Sequence, residues 1–231
     1  MPITKSMERI VFQASRKSHL ATLGIFKNLP SDALAEIENF MIEKNYEKQE
    51  TLFMEDDPAE SLWFVEKGLV KEIYYSPDGD DQIVSIVGAQ GMLGTSCFER
   101  VTYGFHAVAE TVATVVAMPI RRFQETMEKY PPLAKAVLYQ ISSLLRKAKN
   151  QHALSQDPVE KRLLHVLLEL ALEFDGTIPL IRKEVAAMAG TTTETCIRVL
   201  GRLEADGLIA STRGRLTVIN AASLRERMEA L

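Results

Sequence analysis

The spacing of apolar positions changes along the chain, and each change marks a different kind of element. From about Leu29 to Ile42, Leu34, Ile37, Phe40 and Met41 recur at helical spacing behind Ser31 and Asp32, which can cap a helix start. From Thr51 the pattern shifts to short runs rich in Val, Ile and aromatic residues: SLWFVEKG, LVKEIYYS, QIVSIVG and AVAETVATVVAM. Gly68, SPDGDD and GAQGMLG punctuate these runs. Gly79 can take a positive φ without steric penalty, so PDGD at Pro77–Asp80 is expected to be a hairpin turn. Short strands at close spacing predict a compact antiparallel barrel or roll.

After Pro119 the spacing becomes helical and stays so. PPLAKAVLYQISSLLRKAKNQHALSQ opens on a proline pair suited to a first helical turn. Val137, Ile141, Leu144, Ala148 and Gln151 repeat at alternating steps of four and three, flanked by Leu138, Leu145 and His152. Such a stripe can be one face of a coiled coil, although a long helix packed on its own domain carries the same stripe. Its length and its place between two domains favour pairing with a second copy through Val137, Ile141, Leu144, Leu145 and Ala148. Asp157-Pro158-Val159-Glu160 then offers a cap, a first-turn proline and a capping-box acid, opening a helix through KRLLHVLLELALEF.

Further on, RKEVAAMA presents Val185, Ala186 and Ala189 as a small apolar face, and Gly190 can adopt the left-handed conformation that ends a helix. A second helix runs from the threonines at 191–193 to about Ala205, with Cys196, Val199, Leu200 and Leu203 on its buried line. DGLIASTRGRLTVIN reads as two strands joined at Arg213-Gly214-Arg215. Together these predict a winged helix-turn-helix. The chain is therefore expected to be α+β. An N-terminal helix and antiparallel β-roll of the cupin or jelly-roll kind fill residues 1–130. A dimerisation helix spans 131–156 and the winged helix-turn-helix 157–231.

Two readings fit GTTTETCIRVLGRL. In a stability reading, Thr191 is the N-cap of a capping box closed by Glu194, and Glu194 and Arg198 form an i, i+4 ion pair worth about 0.2–0.5 kcal/mol. In a DNA-reading one, Thr193, Glu194, Ile197 and Arg198 project from one side, opposite Val199 and Leu203. Arginine can donate to guanine O6 and N7, a carboxylate can accept from cytosine N4, and Glu194 would hold the guanidinium in position. Thr191, Thr192 and the helix N-terminus could bind phosphate, and Arg202, Arg213 and Arg215 complete the expected DNA-binding set. The whole arrangement favours base reading.

Composition narrows the class. At 231 residues, 46% hydrophobic and 25% charged, the chain is long enough for two globular domains. No apolar run approaches the ~20 residues of a membrane span, and the cationic start lacks the apolar core of a signal peptide. A cytoplasmic location follows, and two distant cysteines suit a reducing compartment. The net charge of −4 is uneven: Glu50–Met118 holds twelve acids against three bases, whereas Gln156–Leu231 holds eleven against ten. Such a chain does not coat nucleic acid non-specifically, so DNA contact must be local and directed.

From about Leu23 to Leu224 the chain closely resembles the Crp/Fnr family of bacterial transcription regulators. LWFVEKGLVKEIYYSPDGDDQIVSIVGAQGMLG resembles its effector-binding roll, and EVAAMAGTTTETCIRVLGRLEADGLI its DNA-binding signature. The resemblance implies a homodimer on a palindromic operator, Glu194 and Arg198 reading a G·C pair in each half-site, and RNA polymerase as a partner. The residue at Thr193 helps set operator preference, and Ile197 replaces a serine common in the anaerobic-regulator subgroup.

Effector recognition departs from the family pattern. Its cyclic-nucleotide binders carry a Gly-Glu pair and then an Arg-Ser or Arg-Thr that hold the ribose and cyclic phosphate. Here Gly94-Thr95-Ser96 and Tyr103-Gly104 stand in those places, so the usual cAMP mode, lacking its bidentate arginine, is not expected. Gly94, Thr95, Ser96, Cys97, Tyr103 and His106 remain the candidate pocket for an unidentified small-molecule effector or redox signal. No cysteine precedes Cys97, which removes the family's N-terminal iron–sulfur cluster. Haem sensing CO or NO stays open, with His19, Cys97, His106, Met54 and the Pro2 amine as conceivable ligands, each also readable as ordinary packing or surface. No metal site is read. Cys196 turns into the motif's interior and reads as a structural thiol rather than a redox switch. An enzyme built on the roll would need a His and carboxylate metal cluster, yet the roll holds only His106. A helix-turn-helix that binds protein instead of DNA is the other alternative. In the favoured mechanism, the effector repacks the long helix and moves two reading helices toward or away from a spacing of about 34 Å.

Overall fold

The computed structural model describes Leu20 and residues 23–76, 81–154, 156–212 and 214–231. The expected turn at Pro77–Asp80 lies outside them. A short 3-10 helix at Gly24–Phe26 leads into α1 (Ser31–Glu38). The N-cap of α1 is Pro30, with no side-chain cap, so Ser31 and Asp32 lie inside the first turn. The helix is also shorter than its apolar spacing suggests. From Ile42 the backbone pairs with a strand far along the chain, Ile42 facing Ala117, and that ladder takes the residues read as the helix end.

Eight strands form the roll: β1 (Ile42–Tyr46), β2 (Thr51–Phe53), β3 (Ser61–Lys67), β4 (Val70–Tyr75), β5 (Asp81–Val87), β6 (Met92–Leu93), β7 (His106–Ala109) and β8 (Ala113–Pro119). They pair as two four-stranded sheets, β1-β8-β3-β6 and β2-β7-β4-β5. The described registers are antiparallel, with Trp63 facing Ala117 and Glu72 facing Ala107. Phe53, Val70, Ala107 and Ala109 from one sheet share a core with Leu62, Phe64, Val65, Val116 and Met118 from the other. Fully burying a Val, Leu, Phe or Met side chain stabilises by about 1.5–3 kcal/mol. Phe26, Phe64 and Phe123 bring the N-terminal segment, β3 and α2 (Ile120–Lys129) together, with ring centroids 5.2 and 5.8 Å apart along the chain of contacts.

Two polar devices complete the roll. Glu110 is buried and accepts from Lys48 and Lys71, each at 2.7 Å, so its charge is paired rather than left in a low dielectric. Tyr103 is also buried, stacked on Phe53 with centroids 3.9 Å apart. Its hydroxyl accepts from Trp63 Nε1 at 2.9 Å and from the Ser61 amide at 3.3 Å, and donates to the Ser61 carbonyl at 2.8 Å.

The helix α3 (Pro131–Leu154) matches the expected long helix, but its free stripe is rotated from the expected line. Val137 is buried in the roll core beside Leu133 and is not available to a second copy. Leu138 is 65% exposed and Leu145 54%, and with Ile141 and Ala148 they form the exposed apolar line. Leu144 is exposed at the margin of this line.

The C-terminal elements are α4 (Val159–Glu173), β9 (Thr177–Ile178), α5 (Arg182–Met188), α6 (Thr193–Ala205), β10 (Ile209–Thr212), β11 (Arg215–Val218) and α7 (Ala221–Glu229). The three strands pair antiparallel in the order β10-β11-β9. Pro158, not Asp157, is the N-cap of α4 and makes no side-chain cap. Glu160 does not close a capping box either: it accepts from Arg227 Nε at 2.8 Å and lies 3.5 Å from Arg202 Nη2. By contact density the chain forms two compact units, one of residues up to Ile73 with Ile86–Ser142, the other of Tyr74–Ser85 with Ser143–Leu231. Among the described residues no helix is long and apolar enough to cross a membrane.

The Tyr103 hydroxyl gives a direct test of the roll. Tyr103→Phe leaves the buried indole N–H of Trp63 without its acceptor, which should cost about 1–3 kcal/mol. Trp63 is the chain's single tryptophan, so urea unfolding followed by its fluorescence reads the loss.

Candidate nucleic-acid interface

The helix-turn-helix is built from small residues inward and polar residues outward. Val185, Ala186 and Ala189 of α5 and its C-cap are buried, as are Cys196, Val199, Leu200 and Leu203 of α6. Alanines let two helices approach closely, so the α5–α6 angle is set by backbone-near packing. Gly190, at φ +60°, makes the turn between them in the left-handed region where a side chain would be strained. Glu184 Oε2 accepts from the Ile181 amide at 2.9 Å and caps the start of α5.

The threonine run caps α6 one residue later than its sequence spacing suggests. Thr192, not Thr191, is the N-cap, and its hydroxyl accepts from the Thr195 amide at 3.2 Å. Thr191 instead donates its amide to the Ala186 carbonyl as part of the turn. Glu194 therefore falls in the first turn outside any capping box, where a carboxylate suits the positive end of the helix dipole. Glu194 and Arg198 are both exposed, and the expected ion pair between them does not form. Ile197, 46% exposed, lies between them on the same face, with Thr193 half-buried at the first position.

Arg202 is also engaged within the protein. Its guanidinium lies 3.5 Å from Glu160, in a network where Arg227 also bridges Glu160 and Asp206. The reading helix is thereby tied at its C-terminal end to α4 and α7. Arg215 is exposed at the start of β11, paired with Thr212 across the wing, while Arg213 lies outside the described residues.

The sequence reading missed Arg182 and Lys183, both exposed on the first turn of α5. With Ile181, Thr212 and Arg215 they line a groove of about 520 Å³ between that turn and the wing. Two cations at a helix N-terminus oppose the dipole by about 0.3–1 kcal/mol each.

The candidate effector residues sit together only in part. Gly94, at φ +72°, starts the 3-10 turn Thr95–Phe98, and a side chain there would meet Tyr103 Cε1 at 2.9 Å. Cys97 is buried and its amide donates to the Gly94 carbonyl. His106 opens β7, half-buried, with Nε2 3.7 Å from Glu55. Met54 is exposed, and His19 and Pro2 lie outside the described residues. Among the described residues no group of three or more His, Cys, Asp or Glu could hold a metal ion. Burial pushes the Cys97 thiol up to about 12 and the Cys196 thiol up to about 11, Arg182 opposing the latter.

Comparison with known proteins agrees with this architecture. The profile of the cyclic nucleotide-binding domain matches residues 43–130, and that of the Crp-like helix-turn-helix domain residues 161–227. The global nitrogen regulator of Synechococcus elongatus is 29% identical, over 89% of this chain and 96% of its own. The CRP-like cAMP-activated global transcriptional regulator of Mycobacterium tuberculosis is 26% identical, over 85% and 96%. The structure of FixK2 from Bradyrhizobium japonicum superposes with a TM-score of 0.73 at 22% identity, covering 80% of this chain and 96% of that one. The fold is a β-roll of the cyclic nucleotide-binding-domain type followed by a Crp-like winged helix-turn-helix. The chain belongs to the Crp/Fnr family of DNA-binding transcription regulators.

Two outcomes check the local geometry. Thr192→Ala should destabilise by about 1 kcal/mol through the lost N-cap, and Thr191→Ala should cost clearly less, read as urea midpoints. At pH 8 both thiols lie well below their titration, so iodoacetamide should leave the native protein unlabelled until denaturant is added, as mass spectrometry would record.

Proposed function

We propose that the protein binds a palindromic operator as a homodimer, each subunit reading a G·C pair through Glu194 and Arg198. One observation carries this reading. The face of α6 opposite its buried line presents a carboxylate and a guanidinium that leave each other unpaired and point to solvent. An exposed ion pair would add little stability, so keeping two charged groups available on a rigid helix is explained by what they bind. Ile197 and Thr193 contact the neighbouring bases, Thr191 and Thr192 the adjoining phosphate, and Arg182, Lys183, Arg213 and Arg215 the flanking backbone. Arg202 holds the helix through Glu160 rather than touching DNA.

The dimer forms along Leu138, Ile141, Leu145 and Ala148, with Leu144 at its edge. Residues 1–130 act as sensor, 131–156 as the pairing helix and 157–231 as reader, with RNA polymerase as the onward partner. The effector is a small molecule other than a cyclic nucleotide held in the family's usual way. Support comes from Tyr103, which the family resemblance puts in place of the basic residue and whose hydroxyl is already bonded to Trp63 and Ser61.

Arg198→Ala should cost about 1–3 kcal/mol per half-site and relax preference at one base pair. Arg215→Ala should weaken specific and random DNA alike and reduce the salt slope by about 1. Fluorescence anisotropy on operator and scrambled duplexes at two salt concentrations separates them; equal losses for Arg198→Ala would return the pair to a structural role. Leu145→Glu should give a monomer by sedimentation and at least tenfold weaker operator binding.

A further inference from the structure

A cavity of about 320 Å³ lies inside the DNA-binding unit. That volume falls at the lower end of the ~300–1,000 Å³ typical of small-molecule sites. Leu154 at the end of α3, Val166 on α4, and Met188 and Ala189 at the end of α5 give it an apolar wall. Arg162, His165 and Gly190 give it a polar one. Arg162 Nη2 donates to the Gly190 carbonyl at 3.0 Å, the carbonyl of the turn that sets α6 on α5. His165 Nε2 is buried and makes no hydrogen bond; Glu169 Oε1, which is not part of the lining, lies 3.5 Å from it.

We infer that this cavity binds a small carboxylate with a compact apolar body, held by Arg162 and His165. The chemistry follows from the lining. A guanidinium is the one permanently charged group on the wall and recognises a carboxylate by two parallel hydrogen bonds. A buried imidazole nitrogen that makes no hydrogen bond, its nearest carboxylate being 3.5 Å away, gains from an entering group that supplies one. The aliphatic wall accepts an aromatic or branched hydrocarbon body and disfavours a small hydrated anion. Because Arg162 also holds the Gly190 carbonyl, an occupant sharing its guanidinium changes how firmly the turn before Thr192 is fixed. Binding here and binding of DNA are then coupled, and the coupling is reciprocal. This coupling rests on the operator reading above; ligand binding itself does not.

Benzoate is the probe and benzamide its neutral match. Full-length protein labelled with ¹⁵N at histidine is titrated by NMR, following the His165 ring. Saturable shifts with benzoate, at least tenfold weaker with benzamide and in Arg162→Gln, are expected. Met188→Trp, which fills the space, should abolish the shifts. If that variant fails to fold by circular dichroism, Ala189→Leu takes its place. No saturable shift in the wild type up to 10-millimolar-order benzoate (~10 mM), or equal binding in the filled and unfilled proteins, would overturn the site. Saturating benzoate should change operator affinity at least threefold, and the effect should vanish in His165→Phe. An unchanged affinity would overturn the coupling while leaving the titration to judge the site.

Discussion

Packing of α5 on α6 is the constraint on which the reader depends. Val185, Ala186 and Ala189 meet Cys196, Val199, Leu200 and Leu203 with essentially no exposure on either side. Helical periodicity then leaves Glu194, Ile197 and Arg198 no direction but outward. Gly190 closes the turn, Arg162 holds its carbonyl, and the Glu160 network holds the far end of α6 through Arg202. A helix fixed at both ends loses little further freedom on meeting a DNA groove, and the entropy of ordering is met in folding rather than in binding.

The roll obeys a similar logic with a different result. Its two sheets share one apolar core, and its polar exceptions are satisfied internally: Glu110 by two lysines, Tyr103 by Trp63 and Ser61. A phenol that already spends its donor and acceptors on the protein has little to offer a charged ligand. Fold alone does not name an effector.

Much of this was legible in the sequence because it rests on local patterns. The strands at SLWFVEKG and LVKEIYYS, the long helix from Pro131, Gly190 as the turn, and the buried line through Cys196 and Leu203 follow from periodicity and the conformational freedom of glycine. Where the reading failed, long-range pairing or packing intervened. Ile42 joined a strand because Ala117 faces it, and Val137 turned inward because the roll core lies against that side of α3. Thr191 lost the cap to Thr192 because its amide is committed to Ala186. Glu160 met Arg227 and Arg202, partners 67 and 42 positions away, rather than its own helix start.

The sequence by itself determined the kinds of element, their order and the chemical types on the reading helix, since these depend on side-chain period, turn residues and composition within a few residues. Only the tertiary structure decided which charges stay unpaired, which face of α3 is left apolar and exposed, and where Arg182, Lys183 and Arg215 converge on one groove. Those outcomes depend on contacts between residues distant in the chain, and no local pattern encodes the distance between them.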